Sequence, residues 1–496
     1  MSATNPSPTG NGLPRQLRVH FLGVCGKAMA PIAAALARAG WVVTGSDENC
    51  YAPMLDYLRE AGMAPRAPYA PGNVPCDAEL VVVGKRVAEC NPELQHVLSA
   101  GLPHTSFPRF LQQHFLRRSR NAVVAGGVGK TTTTSMLAWI LEESGMAPDF
   151  LIGGRTRNLG ESARFHGSAF AVIEGDEYAS CFDDPRPKFL HYRPEIGIIT
   201  NIVEDHPDLY DGMAALCAVF RQFVELLPAH GCLIYPHGDP AAAALPQHCA
   251  AESLAVGFES DAAVRIERFE GDEKGSAFML RGQRFELPMF GRMNVMNAAM
   301  AVLAAERLGV TLSCSAVALA KFAGVWNRQD ETAMGDVTLV NDKASHPRSL
   351  EELSSALRQK YPGRRLVSVI QPRATGGRDW LYQRNLPDAL AAFDRVILTR
   401  AQEHNPQRPT RWKDAPFCIE TLGEDLAARN VDVCHAWDNA DVVRALDDQI
   451  KSGDVILLTL LEQSHELRRV VTVALQRRAR LSAGEPDAQP AQQCAR

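Results

Sequence analysis

Between residues 121 and 137 an apolar run gives way to Gly126-Gly127-Val128-Gly129-Lys130-Thr131-Thr132 and then to helix-forming sequence. Glycines at that junction let consecutive backbone N–H groups turn into one concavity at a helix N-terminus, where an anion is welcome. Lys130 is placed to reach the β and γ phosphates of a nucleotide, and Thr131 to put its hydroxyl on Mg²⁺. The general loop G-x-x-x-x-G-K-[ST] asks for a glycine at Val124, so the spacing is altered. A glycine-rich turn with an incidental lysine is the competing reading. Further groups stand at the ends of the next two apolar runs: Glu174, Asp176 and Glu177 after one, Asn201, Asp205 and His206 after the other. Mg²⁺ takes oxygen ligands and suits phosphate chemistry, while a histidine among them is less usual.

Positioning such groups takes strands that end together. Residues 17–25 (LRVHFLGVC) read as a buried strand, followed by a helix ending at Gly40 and a second strand, WVVTGSD, ending in Asp47. Strand, glycine turn, helix, strand and acid follow the βαβ logic of a nucleotide-binding sheet, although Gly23-x-x-Gly26 is only half of a dinucleotide fingerprint. ELVVVGK (79–85) is a further strand, and Asn91 is placed to cap a helix with proline in its first turn. A second unit starts with AVVAG and the glycine loop, continues through strands at 170–177 and 196–202, and includes a long apolar-faced helix within 290–310. A third runs through strands near 337–344, 365–372, 394–401 and 453–461.

A chain of 496 residues exceeds one ordinary core, and at about 150 residues per domain it predicts three. Apolar residues at 46% and charged residues at 22% are those of a soluble globular protein. A net charge of −5 advertises neither nucleic acid nor an anionic membrane, so an anionic ligand must be met by local groups. The N-terminus has no apolar signal region and no run approaches the ~18 apolar residues of a membrane span, which predicts a cytoplasmic protein. Twelve cysteines without a C-x-x-C pair read as buried thiols in a reducing compartment.

At this point the sequence resembles the Mur ligases, the ATP-dependent peptide ligases of peptidoglycan synthesis. The resemblance is carried in order by GVCG, GKTTTT, EGDEY, TNIVEDH, GRMNVMNAA, Arg328, NDKASHP and PRAT, and spans about residues 17–465. It is similar above all to the branch that adds L-alanine, or a recycled L-Ala-γ-D-Glu-meso-diaminopimelate tripeptide, to UDP-N-acetylmuramate. Between His206 and Val224 there is no lysine of the kind carbamylated in members adding later residues. The resemblance implies an α/β, three-domain architecture: a Rossmann-like UDP-sugar domain (1–118), a central P-loop ATPase-like domain (119–332) and a Rossmann-like domain for the incoming amine (333–482); the composition of AGEPDAQPAQQCAR predicts a disordered tail (483–496). It implies that Gly23, Cys25, Gly26 and Asp47 hold the UDP group, and that Gly126–Thr132 cradle ATP. It further implies that Lys130 and Arg328 act on the γ-phosphate, that Thr131, Glu174 and His206 bind Mg²⁺, that Asn294 and Asn297 face adenine, and that Asp342 meets the ribose. Asn201, His346 and Arg373 are expected at the substrates. The implied partners are a UDP-sugar and an amino acid or short peptide, with no nucleic acid or membrane, in a monomer or dimer.

Departures concentrate on the ATP and acceptor sides. The common loop G-T-H-G-K-T has Gly127 and Val128 for Thr and His. Met293 replaces the histidine of G-x-H-N. The hinge K-R-R-x-E reads Trp326-Asn327-Arg328-Gln329-Asp330, and D-D-[YF]-A-H-H-P reads Asn341-Asp342-Lys343-Ala344-Ser345-His346-Pro347. A glycine-rich loop expected after GDVILL is TLLEQSHEL. Three readings follow: a ligase of UDP-N-acetylmuramate with an amino acid or tripeptide, a ligase of the same acyl-phosphate mechanism on another carboxylate or amine, and a non-catalytic nucleotide-binding relative.

Overall fold

The computed structural model describes residues 16–52, 54–205, 209–372, 379–400, 417–460 and 464–482, without the side chains of 379–381. Three larger sheets organise them. The first has four parallel strands in the order Val42–Ser46, Arg18–Leu22, Leu80–Val83 and His104–Ser106. The second has ten: Gln283–Leu287, Gly275–Leu280, Val264–Asp272, Glu252–Gly257, Cys232–Pro236, Ile196–Ile199, Arg120–Ala125, Phe170–Glu174, Asp149–Leu151 and Ala163–Arg164. The third has six: Asp330–Met334, Val337–Asn341, Val455–Thr459, Leu366–Ile370, Arg395–Thr399 and Asp432–Ala436.

Parallel strands covered on both faces read as unbroken apolar runs, and these do: Val81–Val83, Ala122–Ala125 and Val455–Leu458 are all buried. Asn91 caps the helix Pro92–Ser99 as its position suggests, its side chain accepting from the Glu93 and Leu94 N–H groups. The helix Lys130–Glu143 packs along the helix Arg292–Arg307, which buries eleven of its sixteen residues.

The antiparallel extension Val264–Asp272, Gly275–Leu280 and Gln283–Leu287 has no counterpart in the sequence reading. It shows only as an alternation in which Val264 and Ile266 are buried while Arg265 and Glu267 face solvent. The third sheet also begins early, since Asp330–Met334 pairs antiparallel with Val337–Asn341.

For the site, one adjacency matters. Ile196–Ile199, Arg120–Ala125 and Phe170–Glu174 are neighbouring parallel strands, so the segments leaving their C-terminal ends emerge side by side. No helix among the described residues is long and apolar enough to cross a membrane.

Candidate active site

The glycine loop leaves Arg120–Ala125 and enters the helix at Lys130. Gly129, the N-cap, has φ of 92° and Gly126 φ of 129°, backbone that a side chain would strain. Space demands glycine too: a Cβ at Gly126 would lie 2.3 Å from Thr200 Oγ1, and one at Gly129 2.6 Å from Asn297 Oδ1. The loop is braced by Asn201, whose Oδ1 accepts from Val128 N at 2.9 Å and whose Nδ2 donates to Val128 O at 2.7 Å. Asn201, expected to touch substrate, thus spends both amide atoms on the loop backbone. Asn297, expected at adenine, lies beneath Gly129 and donates to Asn294 Oδ1 at 3.4 Å.

Lys130 folds back over this loop. Its Nζ donates to Gly126 O, to Gly127 O at 3.3 Å, and to Glu177 Oε2 at 3.2 Å. Burial works against its charge, but the carboxylates of Glu177, Asp176 and Glu174 more than offset it and hold the ammonium above its ordinary pKa. Thr131 Oγ1 donates to Glu174 Oε1 at 2.9 Å, and Gly153 N donates to Glu174 Oε2 at 2.6 Å. Burial nevertheless pushes the Glu174 carboxyl above its usual range.

These groups open into a cavity of about 230 Å³ whose walls also include Asp205, Met293, Asn294, Arg328, Asp342 and His346. The hinge reaches it through a strained turn: Asn327 and Gln329, with φ of 57° and 47°, flank Arg328. Gln329 pins that turn by donating from Nε2 to Phe290 O at 3.1 Å. Asp342 accepts from Gln329 N at 2.8 Å and Ala344 N at 2.7 Å, with Arg328 Nη1 at 3.6 Å from its Oδ1; burial still raises its pKa. His346 caps the helix Pro347–Lys360, its Nδ1 accepting from Arg348 N at 3.1 Å. That role fixes the proton on Nε2, which donates to Glu204 O at 3.0 Å. Its ring therefore bridges the third sheet's unit to the second, where a substrate contact had been expected.

A second, larger cavity of about 770 Å³ went unread in the sequence. Its walls come from the helix Met54–Glu60, the loop 153–162, and Trp326, Asn327 and Lys343. Hinge and loop are zipped together by an antiparallel bridge between Thr156 and Val325 and by Arg157 N donating to Gly324 O at 3.0 Å. The Arg157 guanidinium stacks 3.8 Å over the half-exposed Trp326 ring. Gly153 ties this cavity to Glu174 of the first.

In the first sheet, the Gly23–Gly26 turn is shaped by Asp47, which accepts from Cys25 N at 2.9 Å and Asn49 N at 3.1 Å. Gly23 has φ of 82°. Cys25 is buried, its Sγ 3.2 Å from that of Cys50, and burial first and Cys50 second push its thiol pKa far up. His206 and Arg373 lie outside the described residues.

The paired oxygens of Thr131 and Glu174 fit a magnesium ion, which binds through one or two protein oxygens and completes its shell with phosphate and water. A buried carboxyl held high by desolvation gains most from such a cation. Among the described residues no group of three or more His, Cys, Asp and Glu could hold a metal, so a closed all-protein cage is not offered there.

Comparison with known proteins yields three family matches in chain order. They are "Mur ligase family, catalytic domain" over residues 18–119, "Mur ligase middle domain" over 124–305, and "Mur ligase, glutamate ligase domain" over 328–459. A UDP-N-acetylmuramate–L-alanyl-γ-D-glutamyl-meso-2,6-diaminoheptandioate ligase of Haemophilus influenzae is 32% identical over 391 residues, covering 78% of this chain and 86% of that one. A UDP-N-acetylmuramate–L-alanine ligase of Halorhodospira halophila is 35% identical over 397 residues, with coverages of 78% and 79%. The crystal structure of a murein peptide ligase from Psychrobacter arcticus superposes with a TM-score of 0.68 at 27% identity, covering 93% of this chain and 99% of that one.

Proposed function

The chain belongs to the Mur ligase family of ATP-dependent ligases, and from that premise we propose that it joins the carboxylate of UDP-N-acetylmuramate to an L-amino acid or to the tripeptide L-Ala-γ-D-Glu-meso-diaminopimelate. The observation that carries this reading is the meeting of two cavities at Glu174 and Gly153: a phosphate cavity walled by Lys130, Thr131 and Arg328, and a larger one beside it. The second cavity, walled by Met54–Glu60 of the UDP-sugar unit, is the place for the donor carboxylate.

In this reading an oxygen of the donor carboxylate attacks the γ-phosphorus of ATP, and the bond to the bridging oxygen breaks as ADP leaves. The amine of the second substrate then attacks the acyl carbon, inorganic phosphate departs, and the amine loses a proton as the amide forms. Little covalent work falls to the protein, so positioning and neutralisation of spreading charge supply the rate. Lys130 exchanges part of its contact with Glu177 for the γ-phosphate, and Arg328 reaches the same group from the hinge. Asn294 and Asp342 orient the nucleoside, while Gly23, Gly26 and the turn organised by Asp47 hold the UDP group in residues 1–118. Asn201, Asn297 and His346 act as positioning residues. Mg²⁺, held by Thr131 and Glu174, would supply positive charge at the phosphates.

The test is ADP release with ATP, Mg²⁺ and UDP-N-acetylmuramate against L-alanine, L-serine, glycine and the tripeptide. Turnover that depends on one of these amines is expected; none with any amine refutes the reading. The altered hinge Trp326-Asn327 favours, as a second reading, the same mechanism on another amine, which a wider amine panel would reveal.

A further inference from the structure

Phosphoryl transfer between two substrates in adjoining cavities carries negative charge across the border between them. Among the described residues, one lines both cavities: Lys343. It is half-buried, and its backbone N–H donates to Asn327 O at 3.1 Å, which fixes the root of its side chain against the hinge. Lys130 lies over the loop carbonyls and Glu177, Arg328 sits 3.6 Å from Asp342, and neither lines the larger cavity.

We propose that Lys343 is a catalytic residue whose ammonium neutralises the phosphoryl group as it passes from ATP to the donor carboxylate. The inference rests on the acyl-phosphate reading above and adds to it a residue that departs from the common motif. The common motif has Tyr or Phe at this position and an arginine at the position of Asn327. Those two positions face each other across one backbone hydrogen bond, so relative to the motif a positive charge stands on the other side of that bond. Lys343 makes and breaks no bond in the step; its ammonium gains counter-charge as the bridging oxygen leaves with ADP.

The experiment compares the full chain with Lys343→Met and Lys343→Arg, measuring amine-dependent ADP release, the KM for ATP and thermal unfolding. Loss of one fixed charge at a developing anion costs about 100- to 1,000-fold in kcat, and that is the expected effect of Lys343→Met, with the KM for ATP changed by less than about threefold. Lys343→Arg should recover at least about tenfold of the loss, because the charge is kept. A kcat for Lys343→Met within about threefold of the parent overturns the proposal. So does a loss that arginine fails to recover, or one matched by an equal rise in the KM for ATP, since either assigns the side chain to shape or ground-state binding. A parent chain inert with every amine overturns the acyl-phosphate reading and this inference together, whereas an active parent with an indifferent Lys343 overturns the inference alone.

Discussion

Gly127 offers a sharp test of the loop, because its packing opposes restoring a side chain. Its backbone lies outside the left-handed region, so conformation alone would tolerate alanine. Space would not: a Cβ there would sit 2.3 Å from Val203 Cγ2, more than 1 Å inside the 3.4 Å at which ordinary contact begins, and 3.1 Å from Asn201 Oδ1. Overpacking of this kind costs about 1–3 kcal/mol unless the loop shifts away. Shifting relieves the free protein, but the geometry ATP requires must then be regained on binding, so the cost reappears as lost affinity. Since 1.4 kcal/mol is tenfold in a dissociation constant, Gly127→Ala should weaken ATP by roughly 5- to 150-fold. Val203→Ala removes the obstructing Cγ2 and should by itself leave ATP within about threefold of the parent; the double variant should return most of the loss, a coupling of about 1–3 kcal/mol. ATP titration calorimetry on the four proteins reads the cycle directly and avoids assuming that three sheets unfold in one step. Parental ATP affinity in Gly127→Ala, or a double variant as weak as the single, would refute the argument.

Asn201→Ala strips both bonds from Val128 and should cost about 1–3 kcal/mol in ATP affinity while leaving the affinity for UDP within about twofold, readable in two parallel titrations. Asp184 is held at about 2, mainly by the Arg186 guanidinium, with Arg109 Nη2 at 2.9 Å. Its folded pKa is depressed, so its stabilisation of about 2 kcal/mol is present above an unfolded value near 3.9 and disappears as pH falls towards 2. Asp184→Asn should therefore be less stable than the parent in denaturant titrations at pH 7, with the gap closing below about pH 3. Burial pushes the thiols of Cys181 and Cys232 up to about 11, whereas Cys76, Cys90 and Cys314 are exposed, so among the cysteines of the described residues iodoacetamide at neutral pH should label these three first by peptide mass mapping.

The parallel strands were legible because burial on both faces leaves near-continuous apolar runs, and the loop because Gly126, Gly129, Lys130 and Thr131 each answer a separate physical demand. The Val264–Leu287 extension was not read, since half its residues face water and its alternation is short. Glu174 was read from its place at a strand end, but the partner of Lys130 was not, because Glu177 meets it only once the chain has turned back. The backbone bonds of Asn201 and His346 were not legible, because they depend on which main-chain groups the fold brings within reach. The larger cavity was invisible for a different reason: its walls come from five separate stretches of chain whose juxtaposition no local pattern encodes.

The bridging imidazole of His346 behaves as a breakaway fastener. Separation of the third unit from the second breaks its bond to Glu204 O, worth about 0.5–1.5 kcal/mol net, yet leaves Nδ1 on Arg348 N and the helix end intact. The helix Pro347–Lys360 also packs against Arg292–Arg307 and Val264–Asp272, so this bond is one of several contacts that join the two units. A single bond of this strength shifts any balance between joined and separated units by at most about tenfold, which leaves the packed helix and the bound substrates as the larger weight.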